Sequence, residues 1–163
     1  MYTVLLVDDE RSVIDSLKSE IPWENLGVKT IYTASDGLQA LDLIHAHSID
    51  LLITDIRMPR MDGLELLSAL RSDNSQVHCI LLTAYGEFEY AKQAFSLGVE
   101  NYLLKPMQTQ ELMQSVENAL ENLYANRKNR SDLFRENILR RWLLGNISSD
   151  ELGEKTIYLV III

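Results

Sequence analysis

Polar residues of useful chemistry stand where four short apolar runs of this chain end. Asp8 and Asp9 follow Thr3–Val7, Asp55 follows Ile49–Ile53, Thr83 follows Val77–Leu82, and Lys105 follows Glu100–Leu104. Three carboxylates brought together repel one another, and their pKa values rise unless a cation sits among them. No histidine or cysteine cluster accompanies them, so the set does not point to a soft transition metal. An open, all-oxygen site with carboxylates from two strands suits Mg2+, which keeps several waters and takes phosphate oxygens as further ligands. Thr83 adds a hydroxyl donor, and Lys105 a point positive charge to set against a phosphoryl oxygen. A nucleophilic carboxylate, a divalent cation, a hydroxyl and a lysine together describe phosphoryl transfer through an aspartyl phosphate.

These residues meet only if the apolar runs form one parallel sheet, whose carboxyl ends share an edge where ligands bind. The pattern predicts that sheet. Runs such as LLV, LLI and ILL have strand length and suit burial on both faces, and Val28–Ala34 supplies a fifth strand rich in Val, Ile, Tyr and Thr. Helical periodicity fills the intervals: Val13, Leu17 and Ile21; Leu38, Leu41 and Ile44 after a Ser35-Asp36 cap; Leu64, Leu67 and Leu70; Phe88, Ala91 and Phe95, closed by Gly98; and Leu112, Val116, Ala119, Leu120 and Leu123. Strands alternating with helices over about 125 residues predict an α/β fold, a five-stranded doubly wound parallel sheet with right-handed crossovers.

Composition narrows the class. The chain has 163 residues, 47% apolar and 24% charged, enough to bury a core without disulfides or structural metal. The single cysteine, Cys79, builds no disulfide framework and makes a reducing compartment the default. There is no signal-like start and no apolar run of membrane-spanning length, so a cytoplasmic protein with no membrane partner is expected. A formal charge of −9 argues against nucleic acid binding by the bulk of the chain.

The motifs LLVDDE, ITDIRMPRMDG, LLTAYGE and YLLKP, in that order, resemble the receiver domains of two-component response regulators over roughly residues 2–124. The resemblance implies the flavodoxin-like receiver fold with strand order 2-1-3-4-5. It implies that Asp55 is the phosphoacceptor, taking a phosphoryl group from a sensor histidine kinase. Asp9 would bind Mg2+ directly, with Asp8 completing the acidic pocket, Asp55 itself a ligand and the backbone carbonyl of Arg57 a further one. Thr83 would hydrogen-bond the phosphoryl group, Lys105 would pair with it, and Tyr102 would turn inward as the threonine moves. Pro106 follows the lysine at a peptide that is commonly cis in the family. Arg57 and Tyr85, two residues beyond Asp55 and Thr83, occupy positions that tune how water reaches the phosphoryl group. Phosphorylation would favour a homodimer through the face made by the fourth helix, fifth strand and fifth helix, near Phe95, Tyr102 and Leu103. The Ile21–Gly27 insertion, GEFEYAKQAFSLGVENYLLKP and RRWLLGNI resemble the subgroup whose output is an AraC-type DNA-binding domain. DNA contact and transcription regulation would then belong to an output domain outside these residues.

Beyond the predicted receiver (1–124) the composition shifts. Residues 126–145 carry a formal charge of +4 against −13 for the rest, and residues 125–145 read as a basic helical linker. Residues 146–163 read as a tail or the truncated start of a following domain, because Glu154–Ile163 has the pattern of a strand with nothing after it. Plainer readings hold elsewhere: His45 and His47 as surface residues, His78 and Cys79 in a strand, Trp23 as packing, and Met58, Met61, Met107 and Met113 as gap fillers.

The leading expectation is therefore a signalling receiver rather than an enzyme acting on an external substrate. The alternative is a stand-alone aspartate-based phosphatase of haloacid dehalogenase type. Those enzymes place D-x-D at the end of the first strand, whereas this chain has Asp8-Asp9-Glu10-Arg11 and no cap insertion.

Overall fold

The computed structural model describes residues 1–84 and 88–143, by backbone alone at residues 88, 135 and 137–143. The Tyr85 position, the terminal strand expected at 154–163 and the RRWLLGNI segment beyond residue 143 lie outside the described residues.

Five strands and five helices alternate. They are β1 (Tyr2–Val7), α1 (Arg11–Glu20), β2 (Val28–Ala34), α2 (Gly37–Ala46), β3 (Leu51–Asp55), α3 (Gly63–Ser72), β4 (His78–Thr83), α4 (Phe88–Ser96), β5 (Asn101–Leu104) and α5 (Thr109–Leu143). All strand pairings are parallel and the sheet order is β2-β1-β3-β4-β5, the doubly wound arrangement expected from the sequence. No described helix is long and apolar enough to cross a membrane.

Alternation along the strands divides the core in two, because successive side chains point to opposite faces. Val4, Leu6, Leu51, Ile53, Ile80 and Leu82 pack with α1 and with Leu112, Val116, Leu120 and Leu123 of α5. Leu5, Val7, Leu52, Cys79 and Leu81 pack with α2, α3 and Ala94 of α4. Each fully buried Leu contributes about 2 kcal/mol relative to exposure, so both helical layers are held mainly by apolar burial.

Two helical faces differ from the sequence expectation. In α4 the buried residue is Ala94, and Phe95, about 100° further round the helix, is 61% exposed. In α2 Leu41 and Ile44 pack against the core as expected, but Leu38 is 42% exposed, while Gly37 and Ala40 are buried. The reason in α2 is close approach. A Cβ on Gly37 would lie 2.6 Å from the Met61 carbonyl oxygen, to which the Gly37 N–H donates at 3.1 Å.

The chain divides into two compact units, Met1–Leu123 and Tyr124–Ile163. The first holds the sheet and both cores. In the second the described residues are helical, and Tyr124, Leu133 and Phe134 expose most of their surface.

Candidate functional site

The carboxyl ends of β1, β3 and β5 bring four of the sequence-predicted residues together. Asp8 and Asp9 follow β1, Asp55 ends β3, and Lys105 follows β5. One carboxylate oxygen from each of Asp8, Asp9 and Asp55 lies within 4.8 Å of the others. Asp8 is buried and Asp9 exposed, so the cluster opens to solvent on the Asp9 side. Lys105 Nζ donates to Asp8 Oδ2 at 2.6 Å and lies 3.3 Å from Asp55 Oδ2. The other oxygens are tied to backbone: Glu10 N–H donates to Asp8 Oδ1 at 3.0 Å, and Ile56 N–H to Asp55 Oδ1 at 2.7 Å.

Burial pushes the Asp55 carboxyl above its usual pKa, and the Asp8 charge adds to the rise. Lys105 and the Ile56 N–H oppose it without cancelling it. Burial acts on Lys105 in the opposite sense, toward a lower pKa, but the hydrogen bond and charge of Asp8, then Asp55, outweigh it and hold the ammonium above its ordinary value. With these groups ionised, three carboxylates and one ammonium leave a double negative charge. That charge and the hard oxygen donors suit a divalent cation such as Mg2+.

Thr83 is fully buried at the end of β4, one position past Leu82, the register partner of Asp55. Its carbonyl accepts the Lys105 N–H at 2.7 Å, fastening the end of β4 to the start of the lysine turn, where the Lys105–Pro106 peptide is cis. Tyr102 lies in β5, half-buried against the α4 side of the core. Arg57 follows β3, and its side chain reaches α4. Its Nη2 donates to Tyr90 Oη at 2.9 Å, with the guanidinium carbon 5.6 Å from the ring centre. The Tyr90 partnership was not legible in the sequence, since both residues sit among ordinary surface polar positions.

Gly63 also escaped the sequence reading as more than part of a motif. Its N–H donates to Ile56 carbonyl at 2.7 Å, and a Cβ there would fall 2.2 Å from the Asp55 carbonyl oxygen. Only a residue without a side chain lets α3 start this close to the backbone of the acidic strand end. A reciprocal capping box opens that helix, in which Glu65 N–H donates to Asp62 and Asp62 N–H to Glu65.

At the opposite end of the strands, His78 Nδ1 lies 2.5 Å from Glu100 Oε1, and Asn122 donates to the other Glu100 oxygen. His45 and His47 are exposed, the latter stacked on Tyr32, and Cys79 is buried with its thiol pushed up to about 12. Among the described residues the three aspartates are the single acidic or His/Cys group close enough to share a cation.

The family model for the response regulator receiver domain matches residues 4–117. YesN, an uncharacterized transcriptional regulatory protein of Bacillus subtilis (strain 168), is 42% identical over 123 residues, 76% of this chain and 33% of that protein. The transcriptional regulatory protein HptR of Staphylococcus aureus (strain NCTC 8325 / PS 47) is 45% identical over 112 residues, 69% of this chain and 44% of that protein. The chain thus spans between a third and a half of the length of these relatives. Among solved structures, the REC domain of AraT, a response regulator from Geobacillus stearothermophilus, is 36% identical at a TM-score of 0.72, over 77% of this chain and 98% of that one. A two component transcriptional regulator AraC from Clostridium phytofermentans ISDg is 30% identical at 0.72, over 78% and 98%.

Proposed function

The chain belongs to the response regulator receiver domain family, and from that premise we propose that Asp55 is its phosphoacceptor, charged by a sensor histidine kinase in the cytoplasm. The observation that carries the assignment is the bridge of Lys105 between Asp8 and Asp55 beside the three-carboxylate cluster.

Asp8, Asp9, Asp55 and the backbone carbonyl of Arg57 would hold Mg2+, which when bound neutralises the carboxylates and the incoming phosphoryl oxygens. In the transfer, a carboxylate oxygen of Asp55 forms a bond to phosphorus as the phosphorus–nitrogen bond of the donor phosphohistidine breaks. The nitrogen leaves with its electron pair as an imidazole, taking up a proton. Lys105, already ordered by Asp8, supplies a positive charge beside the new phosphoryl oxygens, and the Thr83 hydroxyl donates to one of them. Tyr102, in the strand that leads to Lys105, would follow Thr83 inward.

The phosphorylated form would dimerise through α4, β5 and α5, where Phe95 and Leu104 are 61% and 50% exposed. Leu103, expected near that face, is buried in the core instead, because its side chain points to the opposite side of the strand from those of Tyr102 and Leu104. A receiver of this kind acts on an output domain. The names of the curated relatives favour a transcription-regulating output in a longer protein. The Ile21–Gly27 insertion, with the likeness to the two component transcriptional regulator AraC from Clostridium phytofermentans ISDg, supports an AraC-type DNA-binding domain for it. By the same reading residues 1–124 are the receiver, 125–145 the basic linker and 146–163 a tail or the start of a further domain.

The haloacid dehalogenase reading is not favoured. The third carboxylate comes from β3 rather than from a D-x-D pattern on β1, and the family matched is the receiver. Incubation with acetyl phosphate, followed by intact mass, tests the proposal. One phosphoryl addition requiring Mg2+ and absent in Asp55→Asn is expected. Multiple turnover of a generic phosphate ester would reverse the choice.

A further inference from the structure

The loop between β3 and α3 carries the Arg57 carbonyl, and two fastenings hold it. At its end, Gly63 packs on the Asp55–Ile56 backbone. In its middle, Arg60 takes φ +70°, the left-handed region that a side chain rarely adopts. Such a conformation persists where surrounding contacts over-determine it, and it concentrates at ligand clamps. The contact here is with the N-terminus of α2. Arg60 Nη2 donates to Asp36 Oδ2, and Asp36 is buried to 1% exposure.

Asp36 does two jobs with separate oxygens. Its Oδ1 accepts the Gln39 N–H at 3.0 Å and caps α2, while Oδ2 faces Arg60, with the Ser35 hydroxyl at 3.5 Å. A cap alone needs no buried charge, since serine serves as well. A buried carboxylate left without its cation is strongly unfavourable, so the pair pulls the loop toward α2. The adjacent bond from Gly37 N–H to Met61 carbonyl closes the same seam one residue on.

We propose that Arg60 and Asp36 are positioning residues for the cation site: their ion pair locks the β3–α3 loop onto α2 and so fixes where the Arg57 carbonyl meets the cation. Neither residue touches the cation. Their effect is on its affinity, and the proposal rests on the reading of Asp8, Asp9 and Asp55 as a Mg2+ site.

The test is a Mg2+ titration of the full chain, followed by amide NMR shifts of Asp9, Ile56 and Arg57. Arg60→Gly removes the side chain at a backbone conformation that glycine adopts without strain. Arg60→Asn, which also tolerates the left-handed region, removes the guanidinium without the added backbone freedom of glycine. Asp36→Ser combined with Arg60→Gly also keeps the α2 cap, so a folded protein without the pair is available even if a single variant is unstable. Loss of at least tenfold in Mg2+ affinity is expected in each, the size usual for groups that orient metal ligands. Arg60→Lys should recover part of it, which a general loss of stability would not produce. Affinity within twofold of the parent in the folded double variant overturns the proposal while leaving the Mg2+ site in place. Absence of Mg2+ binding by the parent, with Asp9→Asn identical to it, overturns the site reading itself and the proposal with it.

Discussion

Lys105 places its Nζ 2.6 Å from Oδ2 of Asp8, a residue 97 positions earlier in the chain. Both side chains are largely buried, at 15% and 1% exposure. Removing one member of such a pair leaves an uncompensated charge. Lys105→Met should therefore cost about 3 kcal/mol in urea unfolding without divalent cation. Mg2+ should restore part of that loss, because a cation among the carboxylates replaces the missing ammonium. An unchanged deficit at saturating Mg2+ would mean that the cation does not reach Asp8.

Asp55 leads to a pH prediction. Its folded pKa is raised, so between the ordinary carboxylate value and the raised one the folded state holds more protons than the unfolded state. Stability then falls as pH rises through that window, and above it ionised Asp55 opposes folding. Asp55→Asn should melt higher than the parent at neutral pH without Mg2+. The gap should close as pH falls below the ordinary carboxylate range. Lys105, whose folded pKa is also raised, contributes stability at neutral pH that disappears only in strongly alkaline solution.

Gly63→Ala separates backbone approach from charge. The added methyl would meet the Asp55 carbonyl at 2.2 Å, and backbone rather than a flexible side chain must move. A loss of about 2 kcal/mol is expected, together with slower phosphorylation by acetyl phosphate. Stability equal to the parent, by chemical denaturation, would show that the turn has room to spare.

Arg71 offers a contrast away from the site. Its guanidinium donates to the carbonyls of Leu97, Ser75, Val77 and Gly98, tying the end of α3 to the start of β4 and the end of α4. Arg71→Met should cost roughly 2–3 kcal/mol and leave Mg2+ affinity unchanged, since these carbonyls lie at the opposite ends of the strands.

The sheet was legible because β1, β3 and β4 are buried on both faces and therefore read as unbroken apolar runs. Polar residues that end such runs share an edge by topology, which is why Asp8, Asp9, Asp55 and Lys105 could be grouped before any distance was known. Periodicity failed where small residues carry the packing: Ala94 rather than Phe95 faces the core in α4, and Gly37 and Ala40 rather than Leu38 in α2. The Arg60–Asp36 and Arg57–Tyr90 pairs were invisible for another reason. Each depends on a long side chain crossing between elements, which no spacing along one element records.

The central claim is that the phosphoryl group resides on Asp55. Borohydride reduction of the chain phosphorylated by acetyl phosphate in Mg2+ converts an aspartyl phosphate to homoserine, which peptide sequencing by mass spectrometry locates. Conversion at residue 55 alone, abolished when Mg2+ is chelated beforehand, is the predicted result. Conversion at residue 8 or 9, or phosphoryl addition that persists in Asp55→Asn, would contradict it.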